Sequence, residues 1–178
     1  SANRGDCAQY CRLSYDLEDA GGNVMVRNRH LLSLRDMDRS AHLEELLDAG
    51  MDSLKIEGRL KDVSYVKNIT AYYRQKLDQL QGQKTSPGSC TFFFTPDPRK
   101  TFHRDKTAYF PENGRFTSPV HQWHTPKSTG EYLGKVGRVF QGGFETEAVV
   151  NTGDGLCFTL PDGTFSGFAV NRVEGKRV

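Results

Sequence analysis

The chain has 178 residues, with 24 Lys and Arg against 22 Asp and Glu, 36% hydrophobic residues and a formal charge of +2. That length fits one sizeable domain or two small ones, and the apolar content is too high for a disordered chain. No run approaches the roughly 18–20 apolar residues of a membrane span, residues 1–6 lack the apolar core of a signal peptide, and near-neutral charge argues against non-specific wrapping of nucleic acid, so a cytoplasmic protein is expected.

Leu13 to Leu17 and Val24 to Val26 alternate on either side of Gly21-Gly22, the pattern of a β-hairpin. Leu31-Leu32-Ser33-Leu34 is a short apolar run suited to a buried strand that ends at Arg35-Asp36. Asp38 or Ser40 can cap a helix with Leu43, Leu46 and Leu47 on its apolar side and Gly50 at its close. Ser53 to Ile56 reads as a second strand, ending at Glu57-Gly58-Arg59, and Asp62 caps a long helix with Val63, Val66, Ile69, Tyr73, Leu77 and Leu80 on one stripe. Strand, helix, strand, helix with short joins makes a βαβα unit whose strands are parallel neighbours. Two strands cannot form a buried parallel sheet. A complete (β/α)8 barrel takes about 250 residues, so residues 1–84 read as the end of a larger domain. The partner strands missing from such a segment predict exposed apolar edges at 31–34 and 53–56, to be covered by a dimer or by strand exchange.

Residues 85–129 hold six of the seven prolines and read as a connector over the surface, anchored by aromatic residues. From Gly130 to Val178 short β runs recur, over 132–140, 145–151, 155–160 and 164–173, with a turn at Pro161-Asp162-Gly163. A small antiparallel β-barrel is expected there. The fold class is therefore α/β plus β: a terminal βαβα segment of a TIM-barrel-like domain, then a small antiparallel β-barrel.

Four cysteines are too few for a disulfide scaffold. Cys7 and Cys11 have three residues between them and can face one metal or cluster, with Arg4 and Arg12 helping to hold them as thiolates. Two thiolates are half of a four-cysteine site, and Cys90 and Cys157 have no Cys or His neighbour at ligand spacing. On spacing alone, idle thiols and half of a cluster site both remain open. Arg35-Asp36 and Glu57-Gly58-Arg59 follow directly on the two expected strands, where barrel enzymes carry their chemistry. Glu57 can serve as a general base, while Arg59 and Lys55 can hold a carboxylate or phosphate; the alternative is a surface ion pair around a turn glycine. His121 and His124 lack a completing ligand and read as loop residues. Arg99 to Lys106 mixes basic residues with Phe102, which suits either a solvated loop or contact with RNA. Neither G-x-S-x-G nor H-E-x-x-H occurs, so no conventional serine or zinc protease site is present.

Asn3-Arg4-Gly5-Asp6-Cys7, Cys11-Arg12, Leu32-Ser33-Leu34-Arg35-Asp36-Met37 and Leu54-Lys55-Ile56-Glu57-Gly58-Arg59 occur in that order. The combination resembles the collagenase-like U32 peptidase family, closely over residues 1–84 and onward through Phe94 to Pro98 and Gly130 to Gly134. The resemblance implies a TIM-barrel-like catalytic domain followed by a small β-barrel. It also implies that Cys7 and Cys11 join an upstream cysteine pair, absent here, to hold a 4Fe–4S cluster. Some members of the family are named proteases; others hydroxylate a pyrimidine in rRNA or tRNA with prephenate-derived chemistry. The long tail and the lack of a protease nucleophile look most like the RNA-modifying branch. On this reading the chain is the C-terminal portion of an iron–sulfur RNA hydroxylase, inactive by itself. In the intact enzyme Glu57, Arg59 and Asp36 would be catalytic, and Lys55, Arg35, Arg4 and Arg12 would bind substrate. The alternatives are a collagenase-like peptidase and a non-catalytic module that docks RNA or protein.

Overall fold

In the computed structural model the described residues are 7–80, 88, 90–110, 114–116 and 118–178. The first hairpin pairs β1 (Tyr15–Glu18) with β2 (Val24–Arg29) in antiparallel fashion. Its turn is closed by Asp19, whose Oδ1 accepts from the amides of Gly21 at 2.8 Å and Asn23 at 2.9 Å. Gly22 has φ 81°, which only a residue without Cβ adopts freely.

The expected strands over 31–34 and 53–56 do not pair with one another. Leu31 and Leu32 lie in a turn, Leu34 makes a single antiparallel bridge to His121, and the strand itself is β3 (Asp36–Met37). Its parallel neighbour is β4 (Lys106–Thr107), from the stretch read as a surface connector. Residues 53–56 have no regular structure. A strand exists only through its ladder, and the neighbour that β3 uses comes from the one proline-free part of the connector. Leu32 and Leu34 remain exposed.

After a 3-10 turn at Ser40–His42 comes α1 (Leu43–Asp48), with Asp38 Oδ1 accepting from the Ser40 amide at 3.0 Å and Leu43 buried. The long α2 (Val63–Gln79) starts at Asp62, whose carboxylate accepts from the Tyr65 amide at 2.7 Å. The inward face of α2 is shifted from the expected stripe. Val63 and Val66 are exposed, whereas Asn68 and Ala71 are buried. The connector causes the shift. Asn68 donates to the Asp97 carbonyl at 2.6 Å and accepts from the Asp97 amide at 2.9 Å, so a polar side chain is buried with both capacities met.

The connector is woven into the first part of the chain on two sides. Beyond β4, the Gln122 amide donates to the Ser33 carbonyl at 2.8 Å, Arg35 N–H to Val120 at 2.9 Å and His30 N–H to Trp123 at 3.1 Å.

The last fifty residues form two antiparallel hairpins, β5 (Val139–Phe140) with β6 (Gly143–Phe144) and β7 (Gly155–Thr159) with β8 (Phe165–Ala169). Val178 and Phe144 exchange both backbone bonds, each 2.9 Å, which adds the C-terminal residues to the free edge of β6. Phe168 lies 6.1 Å from both Phe144 and Phe158, so aromatic packing joins the hairpins. Among the described residues no ladder connects the two hairpins into a closed barrel. Of the expected runs 132–140 and 145–151, only the end of the first and a bridge at Glu145 are β structure.

The chain exposes 13576 Å². A compact monomer of 20.0 kDa exposes about 8,700 Å². Buried apolar side chains among the described residues are Leu43, Ala71, Val150 and Val170. Most large hydrophobic residues thus remain in contact with solvent.

Candidate functional site

The ends of β3 and β4, the first half of α2 and the Phe102 loop surround one small cleft of about 60 Å³. Two carboxylates on β3 and just after it organise its floor. Asp36 accepts from the Arg104 amide at 2.8 Å and from the Arg104 guanidinium at 3.0 Å. Asp38 accepts from Lys106 Nζ at 2.6 Å, the Tyr73 hydroxyl at 2.8 Å and the Ser40 amide at 3.0 Å. Burial by itself would raise the Asp38 carboxyl, but these donors together overcome it and bring the group down to about 2. Burial first, and then the Asp38 charge, push the Tyr73 phenol above its ordinary range. His103 lines the same cleft; its Nδ1 accepts from the Asp105 amide at 3.2 Å, which leaves Nε2 buried with no partner among the described residues.

At the rim Lys61 lies over Phe102, its Nζ 3.0 Å from the ring centroid and 5.4 Å from that of Tyr65. Arg104 Cζ is 6.0 Å from the Phe102 centroid. Partial burial holds the Lys61 ammonium down at about 8; Asp36 opposes this, while repulsion from Arg104 and Arg12 adds to it. Arg12 ends a one-turn 3-10 helix, Tyr10–Arg12, that follows Gln9 in the left-handed region at φ 54°. Its influence on Lys61 sets the cysteine-bearing segment beside the β3–β4 cleft.

The residues singled out in the sequence separate into two groups. Arg12, Arg35 and Asp36 gather around the cleft and its flank. Arg35 donates through Nε to the His121 carbonyl at 3.2 Å and reaches Asp105 at 3.8 Å, so it pins the connector. Lys55 and Glu57 form an ion pair of 2.8 Å away from the cleft lining, with side chains 85% and 71% exposed. The Lys55 bond keeps the Glu57 carboxyl below its ordinary value. Arg59 is exposed. Cys7 and Cys11 are exposed free thiols, and Arg4 lies outside the described residues. Among the described residues no group of three His, Cys, Asp or Glu side chains could hold a metal ion. The donor chemistry at Cys7 and Cys11 fits half of a four-thiolate cluster site.

The basic loop 99–106 is not a free solvated stripe. Arg99 pairs with Asp97 at 2.7 Å and Glu131 at 3.3 Å, Arg104 with Asp36, and Lys106 with Asp38. Sequence reasoning missed Lys61. The available signal was a cation directly before the helix cap Asp62, but only the tertiary contact with Phe102 distinguishes it from other surface lysines.

The sequence profile of peptidase family U32 matches residues 1–118. The chain belongs to peptidase family U32. It is 45% identical, over 98% of its own length, to the 23S rRNA 5-hydroxycytidine C2501 synthase of Escherichia coli, and covers 27% of that protein. It is 28% identical over 76% of its length to tRNA hydroxylation protein P1 of Bacillus subtilis, covering 33% of it. A collagenase of Porphyromonas gingivalis is 35% identical over 44% of the chain, which covers 22% of that protein. This U32 chain therefore spans between a fifth and a third of the length of these relatives. No solved structure matches it significantly. Among the described residues no helix is long and apolar enough to cross a membrane.

Proposed function

We propose that this U32 chain is a portion of a longer cytoplasmic enzyme that hydroxylates a pyrimidine in ribosomal RNA. The observation that carries this reading is where the similarity lies. Likeness to the rRNA hydroxycytidine synthase runs through 98% of the chain, including residues 119–178 beyond the family profile, while likeness to the collagenase covers 44%. The large exposed surface and thin core support the assignment to a larger protein, whose remaining parts would cover the apolar residues left in solvent.

In that enzyme residues 7–80 belong to a TIM-barrel-like catalytic domain. The parallel pairing of β3 with β4 supports this, since parallel strands occur almost only in α/β architectures. The antiparallel hairpins from about residue 130 form an accessory β module. Cys7 and Cys11 supply two thiolates to a 4Fe–4S cluster, with two further cysteines from elsewhere in the protein. When bound, the cluster supplies one-electron redox chemistry. Arg12, one residue beyond Cys11, favours the thiolate state through its charge. Asp36 and Asp38, held ionised by Arg104 and Lys106, fix the strand ends that form the cleft.

The test is deletion of the intact gene followed by nucleoside mass spectrometry of 23S rRNA, alongside gelatin digestion by the purified full-length protein. Loss of 5-hydroxycytidine on deletion, its return on complementation and no gelatin cleavage are expected. Unchanged RNA together with gelatin cleavage that disappears in Glu57→Ala would replace this reading with the peptidase.

A further inference from the structure

Most cations near the cleft already have a partner. Arg104 is bound to Asp36, Lys106 to Asp38 and Arg99 to Asp97, so the charge of loop 99–106 is largely neutralised within the fold. Arg12 and Lys61 differ. Neither has an ion pair or hydrogen bond with a described residue, yet each lies within the other's field at the rim of the same cleft. Lys61 is also partly removed from water against the faces of Phe102 and Tyr65. Two like charges held together without a counter-ion, one of them on an aromatic platform, are unfavourable in the free protein. An oxyanion placed between them removes the repulsion and takes up the donors of both.

The aromatic setting narrows the ligand class. A flexible single strand is held by cations that take its phosphates and by exposed rings on which its bases stack. Tyr65 and the half-buried Phe102 stand beside the two cations, whereas an isolated small anion needs no ring.

We infer that Arg12 and Lys61 form a clamp for one phosphodiester group of the RNA substrate, holding the strand beside the Cys7–Cys11 segment. This rests on the RNA-modifying reading above and deepens it. It assigns RNA contact to the cysteine-proximal rim of the cleft and not to the basic loop, whose cations serve as internal struts. Arg12 contributes a planar fork that can engage two phosphate oxygens, and Lys61 contributes a point charge on the opposite side.

The experiment uses the full-length protein and an in vitro transcribed 23S rRNA fragment, with filter binding at several salt concentrations between 50 and 300 mM. Loss of one phosphate contact lowers the slope of log affinity against log salt by about one and weakens binding at 0.1 M salt on the order of tenfold. Arg12→Gln and Lys61→Gln are each expected to do this, Lys61→Arg to retain wild-type slope, and Lys67→Gln on the outer face of α2 to change nothing. Retention by Lys61→Arg separates lost charge from a folding defect. If the wild-type protein fails to bind RNA, the RNA-hydroxylase reading itself falls. If the wild type binds but the Arg12 and Lys61 variants keep its slope and affinity, the clamp falls and the broader reading survives. Unchanged RNA binding with lost protection by inorganic phosphate would make this a small-anion site and overturn the RNA assignment.

Discussion

Asp38 gives the most direct test of how the connector is held to the catalytic segment. Its carboxylate receives Lys106 from β4, Tyr73 from α2 and the Ser40 amide at the entry to α1, so one side chain joins three elements. The side chain is 18% exposed, which makes solvent screening a minor discount. A fall from the ordinary 3.8 to about 2 corresponds to about 2 kcal/mol of net stabilisation of the folded state. Asp38→Asn keeps the size of the group but removes its charge. That should raise the population of local opening roughly 30-fold at pH 7. Hydrogen exchange in the full-length protein reads this at two amides that bridge the segments: Asp36 donates to Asp105 and Asp38 to Thr107, each at 3.0 Å. Because the folded-state value lies below the ordinary one, the contribution is complete above about pH 4 and is lost as the pH falls towards 2. The wild-type and variant exchange curves, corrected for intrinsic rates, should therefore converge over that window. Amides of the distant β7–β8 pair, such as Leu160, should not change. Equal protection of the two bridging amides in both proteins at pH 7 would refute the reasoning, as would a difference that persists at pH 2.

The remaining predictions concern other parts of the same assembly. Lys61 is held at about 8 chiefly by burial, so its charged form opposes folding; Lys61→Met should slow exchange at the Lys61 and Tyr65 amides at pH 7, and that gain should shrink as the pH rises from 8 towards 10.5, where the wild-type lysine is neutral in the folded state but still charged in the unfolded one. Asn68→Ala leaves the Asp97 amide and carbonyl without their partners, a loss of about 1–3 kcal/mol, and trypsin should then cut after Arg99 or Lys100 at least fivefold faster than in wild type. Replacing Cys7 and Cys11 by Ala in the full-length protein purified without oxygen should abolish bound iron and acid-labile sulfide, and iron retained in that variant would remove both residues from the ligand set.

What the sequence determined by itself is local. The Gly21-Gly22 turn, the Asp62 cap of α2, the end of α1 at Gly50 and the Asp162-Gly163 turn follow from side chains that hydrogen-bond their own backbone and from glycines that accept positive φ, so a few neighbouring residues suffice to specify them. The order of the U32 motifs was legible for the same reason, as were the cysteine pair, Arg12, Arg35 and Asp36. Tertiary structure decided the rest. Strand pairing depends on which segment supplies the neighbour, and Lys106 and Thr107 reach β3 from about 70 residues downstream with no apolar run to announce them. The inward face of α2 was set by Asn68 meeting Asp97, a polar contact that a hydrophobic period cannot reveal. Charge pairing across long distances decided which cations are struts and which are free: Arg104 and Lys106 looked available in a basic loop and are neutralised by Asp36 and Asp38, while Lys61, unremarkable in the chain, is left facing Arg12 over the ring of Phe102.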